Sequence, residues 1–377
     1  MKRLLSIFVL LLLSSLAEAQ VDKILIAAGT PEDQALTAIN AESDAQKKLG
    51  MYEDFVQKFS ANPAAVAYGN WQLAQAYQAS GDLPKALQYG DKALVGAPHS
   101  LDILVSQANM AQQLKDNAKL VDYAARGGEV YSSLGKQAKP EGLTDQDFAS
   151  RIAEEQAAAK SSHEFLEAAA FNAIAAEQAP KARMDYIEKF MAAYPDSRFG
   201  EQVAQYAMYT LGPGQLNDPG RLVTFGEKSL AANPNNVPVL LMLADYFADS
   251  GKPGGEAKAS GYAEKVLELS KADAPDADRS RKLSAGIAHS TLGYALMKQD
   301  KTAAAVPQLK SAVDLLKGQD DTAYATALYR LGFAYAKLNK VADAKEVLNE
   351  AVKISGPVQK PAQDLLTKVN APRTKAK

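Results

Sequence analysis

Cysteine is missing from all 377 residues, tryptophan occurs once and histidine three times. Without a thiol there is no disulfide scaffold, no thiolate zinc site, no cysteine-ligated iron–sulfur cluster and no cysteine nucleophile. Aromatic residues make up 7%, and the 24 Gly and 17 Pro are too few for a low-complexity or collagen-like chain. Neither sign of charge dominates: 44 acidic residues face 42 Lys plus Arg, for a net charge of −2. That balance lacks the basic excess of a dedicated nucleic-acid binder, so no nucleic-acid partner is expected. Alternating Val, Ile and Thr runs are also lacking, and no strand is expected. What is abundant is Ala, Leu, Glu, Lys and Gln, with apolar groups three or four apart, the period of amphipathic helices.

The chemistry-bearing residues are scattered. His99 follows Pro98 in a turn, His163 precedes Glu164 at an expected helix start, and His289 falls within a helical segment; no two have metal-ligand spacing. There is no Gly-x-Ser-x-Gly elbow, phosphate loop, His-Glu-x-x-His or calcium loop. The glycines at Gly212-Pro213-Gly214 and from Gly251 to Gly255 follow no strand and read as helix-joining turns. The carboxylate pairs Glu154-Glu155 and Asp320-Asp321 are adjacent, so they are expected to diverge on helix surfaces. The expectation is therefore a chain with no catalytic residues, no metal site and no cofactor.

The N-terminus reads as an address. Met1-Lys2-Arg3 is a basic start, Leu4 to Leu13 an apolar run broken by Ser6, and Ala17-Glu18-Ala19 a small-residue exit, so residues 1–19 are expected to be a signal peptide cleaved between Ala19 and Gln20. A spanning helix needs about 20 apolar residues, roughly twice this run. The mature chain would carry −3, hold no transmembrane segment and reside in the periplasm or be secreted.

Beyond residue 20, helix follows helix. Ser80-Gly81-Asp82, Ser250-Gly251-Lys252, Lys298 to Lys301 and Lys337 to Lys340 each read as a tight helix-to-helix turn, and Pro63, Pro98, Pro195 and Pro234 mark further boundaries. The segment Leu292–Val313 aligns without gaps on Leu331–Val352, with ten of 22 positions identical. Small residues recur at spacings of twelve and seven: Gly293, Ala305 and Ala312; Gly332, Ala344 and Ala351; Ala74, Ala86 and Ala93. They allow two antiparallel helices to approach closely, with Leu73, Leu292 and Leu331 beside them and Tyr77, Leu296 and Tyr335 a turn further on. A longer repetition overlies this one. Ala35, Ile39, Glu42, Glu53 and Phe55 recur at one constant shift as Ala170, Ile174, Glu177, Glu188 and Phe190. At a shift one larger, Gly90, Lys92, Leu94, Pro98, Leu104 and Ala108 recur as Gly226, Lys228, Leu230, Pro234, Leu240 and Ala244. Residues 35–131 thus look duplicated at 170–271.

These motifs resemble the tetratricopeptide repeat, a 34-residue helix–turn–helix unit with Leu-Gly, Tyr, Ala, an aromatic or Leu, Ala and Pro in sequence. Units 67–100, 286–319 and 325–358 fit it best, although Gly90 replaces a bulky group and Trp71 lies one place late. The resemblance implies an all-α, right-handed α-solenoid of antiparallel helix pairs. The expected organisation is N-terminal repeats over 20–131, a helical connector over 132–169, a second block over 170–271, C-terminal units with a capping helix over 272–369, and a basic tail over 370–377.

The resemblance also implies which residues face a groove, since the first helix of each unit lines it. Carried over, these places include Tyr68, Trp71 and Gln75 in the first clear unit, Ile287, Ser290, Tyr294 and Lys298 in the next, and Thr326, Tyr329, Phe333 and Lys337 in the last. Aromatic anchors beside lysines suit an extended peptide. The expected function is a non-enzymatic exported bacterial scaffold or adaptor of the cell envelope that binds a protein or peptide partner and takes part in an envelope complex. The competing expectation is an exported carbohydrate- or substrate-binding protein using Trp71 and the tyrosines as stacking platforms.

Overall fold

The computed structural model describes Val21, residues 23–272, Ala274 and residues 276–371. The expected signal peptide, and all but the start of the basic tail, lie outside the described residues. Everything regular among the described residues is helical. In chain order the helices are α1 (Pro31–Ala41), α2 (Ala45–Lys58), α3 (Pro63–Ala79), α4 (Leu83–Gly96), α5 (Leu101–Gln113), α6 (Asn117–Ser133), α7 (Asp145–Ala176), α8 (Pro180–Ala193), α9 (Gly200–Leu211), α10 (Pro219–Ala232), α11 (Val237–Asp249), α12 (Gly255–Ser270), α13 (Arg279–Lys298), α14 (Thr302–Leu316), α15 (Asp321–Lys337), α16 (Val341–Ala351) and α17 (Gln359–Asn370). They divide into two compact units, one running through Val203 and the other from Ala204.

Local chemistry sets the boundaries. Thr30, Asp44, Asn62, Asp82, Asp116, Asp218, Asp278 and Asp320 each accept a hydrogen bond from the first turn of the helix they precede. Proline opens α1, α3, α8 and α10, where its missing N–H would have had no partner anyway. The turns between helices need one residue in the left-handed region. Gly81, Lys115, Gly251, Asp300 and Asn339 take it, with φ of 83°, 59°, 60°, 58° and 60°.

Within each unit, the extensive contacts join helices one or two places apart in chain order. This sequential stacking is what a solenoid of helix pairs requires. The repeat positions behave as their small size demands. Ala86, Ala93, Ala305, Ala312, Ala344 and Ala351 have no exposed surface, and Leu73, Leu292 and Leu331 are buried beside them. A Cβ on Gly293 would stand 2.6 Å from Leu309 Cγ, and one on Gly332 the same distance from Leu348 Cγ. The gapless alignment that sets Leu292 on Leu331 also sets Gly293 on Gly332 and Leu309 on Leu348, so α13/α14 and α15/α16 pack as one tetratricopeptide-like unit repeated.

The longer duplication is equally visible in the helix bounds. The register that sets Phe55 on Phe190 sets both ends of α2 on both ends of α8, and the register that sets Gly90 on Gly226 does the same for α4 on α10 and α5 on α11. A Cβ on Gly90 would meet the Gln107 side chain, and one on Gly226 would meet Leu243, which takes the place of Gln107 in that register.

Two local expectations are corrected. His163 lies near the middle of the 32-residue α7, whose cap is Thr144: the good helix formers Glu154-Glu155-Gln156-Ala157-Ala158-Ala159-Lys160 carry the helix straight through Ser161 and Ser162. Asp320 and Asp321 do not diverge on a helix surface: Asp320 is the N-cap of α15 and accepts from Ala323 N at 2.7 Å.

Candidate functional site

A cleft of about 950 Å³ lies in the second unit. Most of its lining comes from odd-numbered helices, the first of each pair, with Leu222 of α10 and Leu316 of α14 added from even-numbered ones. α9 supplies Met208 and Tyr209, α11 supplies Leu241, Met242 and Asp245, α13 supplies Ile287 and Ser290, and α15 supplies Thr326 and Arg330. Met208 and Leu316 are fully buried at its base, whereas Tyr209 is 56% exposed. The helical period explains this face. Leu241, Met242 and Asp245 lie at i, i+1 and i+4 of α11, while Leu240, Leu243 and Ala244 pack away as core.

Arg330 organises the polar part. Its guanidinium is only 13% exposed in side-chain terms and lies 3.2 Å from Asp245 Oδ1. Nη1 donates to Ser290 Oγ at 3.2 Å, and the guanidinium carbon stands 4.7 Å over the Tyr294 ring. Burial, then a hydrogen bond to Asp249, pushes the Tyr294 hydroxyl up to about 12, so it remains a proton donor at any physiological pH. Three carboxylates, Asp245, Asp249 and Asp320, line the cleft against the single guanidinium of Arg330. The cleft is therefore apolar at its base and acidic at its edge. It can bury apolar side chains and meet a cation.

A second cleft, of about 510 Å³, lies in the first unit. Tyr68, Trp71 and Gln72 of α3 face it together with Leu101 and Asp102 of α5 and Glu155 of α7. The extended stretch before α1 also lines it through Val21, Lys23 and Ile24. Glu155 accepts from Arg151 Nε through Oε1 at 3.1 Å, while its Oε2 is buried and has no donor. The expectation of a solvated Glu154-Glu155 pair thus holds for exposed Glu154 but not for Glu155. Alternation of exposure along a single-turn neighbour pair carries no sequence signal, so the inward turn of Glu155 was not readable.

The residues expected on the groove are distributed as follows. Tyr68 and Trp71 share the first-unit cleft, and Gln75 is exposed one turn beyond its lining. Ile287, Ser290 and Thr326 line the second-unit cleft. Tyr294 sits behind Arg330 and packs on the core around Met297 and Leu331. Tyr329 packs against the core around Leu328 and Leu348. Phe333 is 38% exposed. Lys298 stands 5.4 Å over the Tyr294 ring, and Lys337 reaches Asp300 at 3.7 Å and Met297 O at 3.4 Å. Neither lysine lines the cleft. Asp245, Met242 and Met208 lie outside the three units 67–100, 286–319 and 325–358 that fit the repeat best, so the groove positions carried over from the repeat do not reach them. Arg330 is adjacent to Tyr329 but one place off the groove positions of the repeat.

No family model matches the chain, and no curated protein matches it. Among solved structures it is similar to the TPR domain of P58(IPK), at 12% identity and a TM-score of 0.32, with 90% of this chain and 97% of that chain covered. Overlap that loose fixes neither curvature nor site, and the helix-pair architecture stands on the chain's own contacts. Among the described residues no helix is long and apolar enough to cross a membrane, and no group of three or more His, Asp or Glu is placed to hold a metal ion.

Proposed function

We propose that the protein is a non-enzymatic scaffold that binds a segment of a partner protein in the second-unit cleft. The observation that carries this reading is the cleft's construction: four successive first helices contribute one continuous lining, apolar at the base and crossed by the Arg330–Asp245 pair. A surface assembled from several repeats suits an extended chain segment, with side chains at intervals finding successive apolar recesses. The signal-like start at Met1-Lys2-Arg3, Leu4 to Leu13 and Ala17-Glu18-Ala19 supports an exported, envelope setting for that role, with the bacterial origin part of the same reading.

The test is a photo-reactive side chain at Met242 or Thr326, with one at exposed Glu264 on α12 as the outer-surface control. Crosslinking to one protein from both cleft positions, absent at the control and lost on adding Ile287→Glu, is the expected result. Equal crosslinking from cleft and control positions would defeat the assignment. Saturable glycan binding abolished by Trp71→Ala, with no protein crosslink, would move the function to carbohydrate recognition.

A further inference from the structure

The first-unit cleft carries an inference independent of the second-unit cleft. Residues 23–27 are neither helix nor strand, yet they are not free in solvent. Ile24 lines the cleft beside Trp71 and Tyr68, and Ile26 packs against the core formed by Leu36, Ile39, Tyr52 and Phe55. Leu25, between them, is 76% exposed. Alternate side chains therefore turn inward, as they do when an extended peptide lies on a protein surface. No hydrogen bond ties Val21 or residues 23–28 to any helix; the only ones they make are those Ala27 O accepts from Thr30. A segment held by side chains alone, with its backbone unpaired, exchanges readily with another of like pattern.

The cleft also has unspent capacity. Asp102 and Glu155 face it, and Glu155 Oε2 is buried without a donor. A buried carboxylate oxygen lacking a donor is a standing energetic cost that an incoming ammonium or guanidinium relieves. Lys23, in the segment itself, borders the cleft but is exposed, with no ion pair to either carboxylate.

We propose that the Trp71 cleft is a second peptide-binding site, self-capped by Val21 and residues 23–26. Its external ligand is an extended peptide with branched aliphatic side chains at alternate positions and a flanking cation. The internal segment fills the aliphatic positions and leaves Glu155 Oε2 without a donor, Arg151 pairing with Oε1 alone, so a peptide that also brings a cation to that oxygen displaces it.

Trp71 is the only tryptophan, so its fluorescence reports on this cleft alone. In the full chain, Ile24→Asp/Ile26→Asp is expected to shift the emission to the red and to raise acrylamide quenching at least twofold, with the helical circular dichroism unchanged. Ile24→Asp alone leaves the core residue Ile26 in place and is expected to show the same shift, reduced, which separates uncapping from loss of α1. A synthetic peptide of residues 21–28 should reverse the shift and bind the double variant at least tenfold more tightly than the unsubstituted chain. The same peptide with Lys23→Arg, whose longer, forked cation can reach the oxygen that Lys23 leaves without a donor, should bind at least fivefold more tightly. Unchanged emission and quenching in both variants, or peptide binding that is equal in variant and parent, would overturn the proposal. Equal binding of the two peptides would remove the cation from it.

Discussion

The two halves of the duplication place the same contact under opposite chemistry. In the first copy, Gly90 of α4 admits Gln107 of α5, whose Nε2 donates to Leu87 O at 2.9 Å, to Asp91 Oδ1 at 3.1 Å and to Tyr123 Oη at 3.3 Å. Asp91 also accepts from the Tyr123 hydroxyl at 2.5 Å and pairs with Lys119 at 3.3 Å. In the second copy, Gly226 admits Leu243, and the places of Asp91, Lys119 and Tyr123 are taken by Glu227, Gly255 and Ala259. Backbone geometry is kept between the copies while the contact changes from a polar network to a hydrocarbon seat. The small residue therefore determines where the helices approach, and what fills the space is free to vary provided it is satisfied. In the first copy satisfaction is incomplete, since Gln107 Oε1 is buried with no partner.

A second contrast concerns the chain entering each copy. Thr30-Pro31 caps α1 with an N-cap hydroxyl and a proline at the first helical position. The corresponding Phe165-Leu166 offers no cap, and α7 runs straight through from Asp145. One copy thus begins with an extended stretch lying beside Trp71, and the other with more than four extra turns of helix.

These contrasts can be broken in order of size. Leu243→Ala should destabilise the protein by about 2–5 kcal/mol in urea unfolding, because the fully buried side chain leaves a cavity between packed helices. Thr30→Ala should cost about 1 kcal/mol, read as faster amide exchange in the first turn of α1. Gln107→Leu, which imports the second copy's solution, should change stability by less than about 1 kcal/mol, because an orphaned acceptor is exchanged for matching hydrocarbon while the Tyr123–Asp91 bond stays. A large loss there would mean that the polar network, and not the glycine contact, sets the first copy's packing.

The helix that joins the two copies adds a pH response through His163. Its ring stacks on Tyr131 with centroids 4.0 Å apart and tilts against Tyr194 at 5.2 Å, with Nδ1 buried and unpartnered. Burial lowers its pKa below the ordinary histidine value, against the pull of Glu167 and Glu164. The unfolded chain then binds the proton more readily, so the His163 contribution is intact above about pH 6.5 and declines as pH falls below it. Urea midpoints should drop between pH 7.5 and pH 5, and His163→Phe should flatten that part of the slope. A slope that His163→Phe leaves unchanged would assign the pH dependence to other groups.

Much of the fold was legible because repeats constrain it. The small residues at 74, 86, 93, 293, 305, 312, 332, 344 and 351 encode close helix approaches in their spacing alone, and the turns at Gly81, Gly251, Asp300 and Asn339 fall where the punctuation placed them. Helix period shows which residues share a face, but not which partner that face meets. Tyr294 and Tyr329 occupy groove positions of the repeat yet pack into core, because neighbouring helices reach over them. Asp245 and Arg330 come together across 85 residues, a pairing no local pattern contains. The extended stretch before Thr30 has too few residues for any period to register, and only packing shows where it lies.

Hydroxyl-radical footprinting of the protein alone and with its crosslinked partner tests the central claim most directly, that recognition occurs on the first helices of the pairs. Protection is expected at Tyr209, Met242 and Tyr246 and not at Tyr262 on α12. Protection confined to Tyr262 and its neighbours on the second helices, with the cleft residues still oxidised, would contradict it.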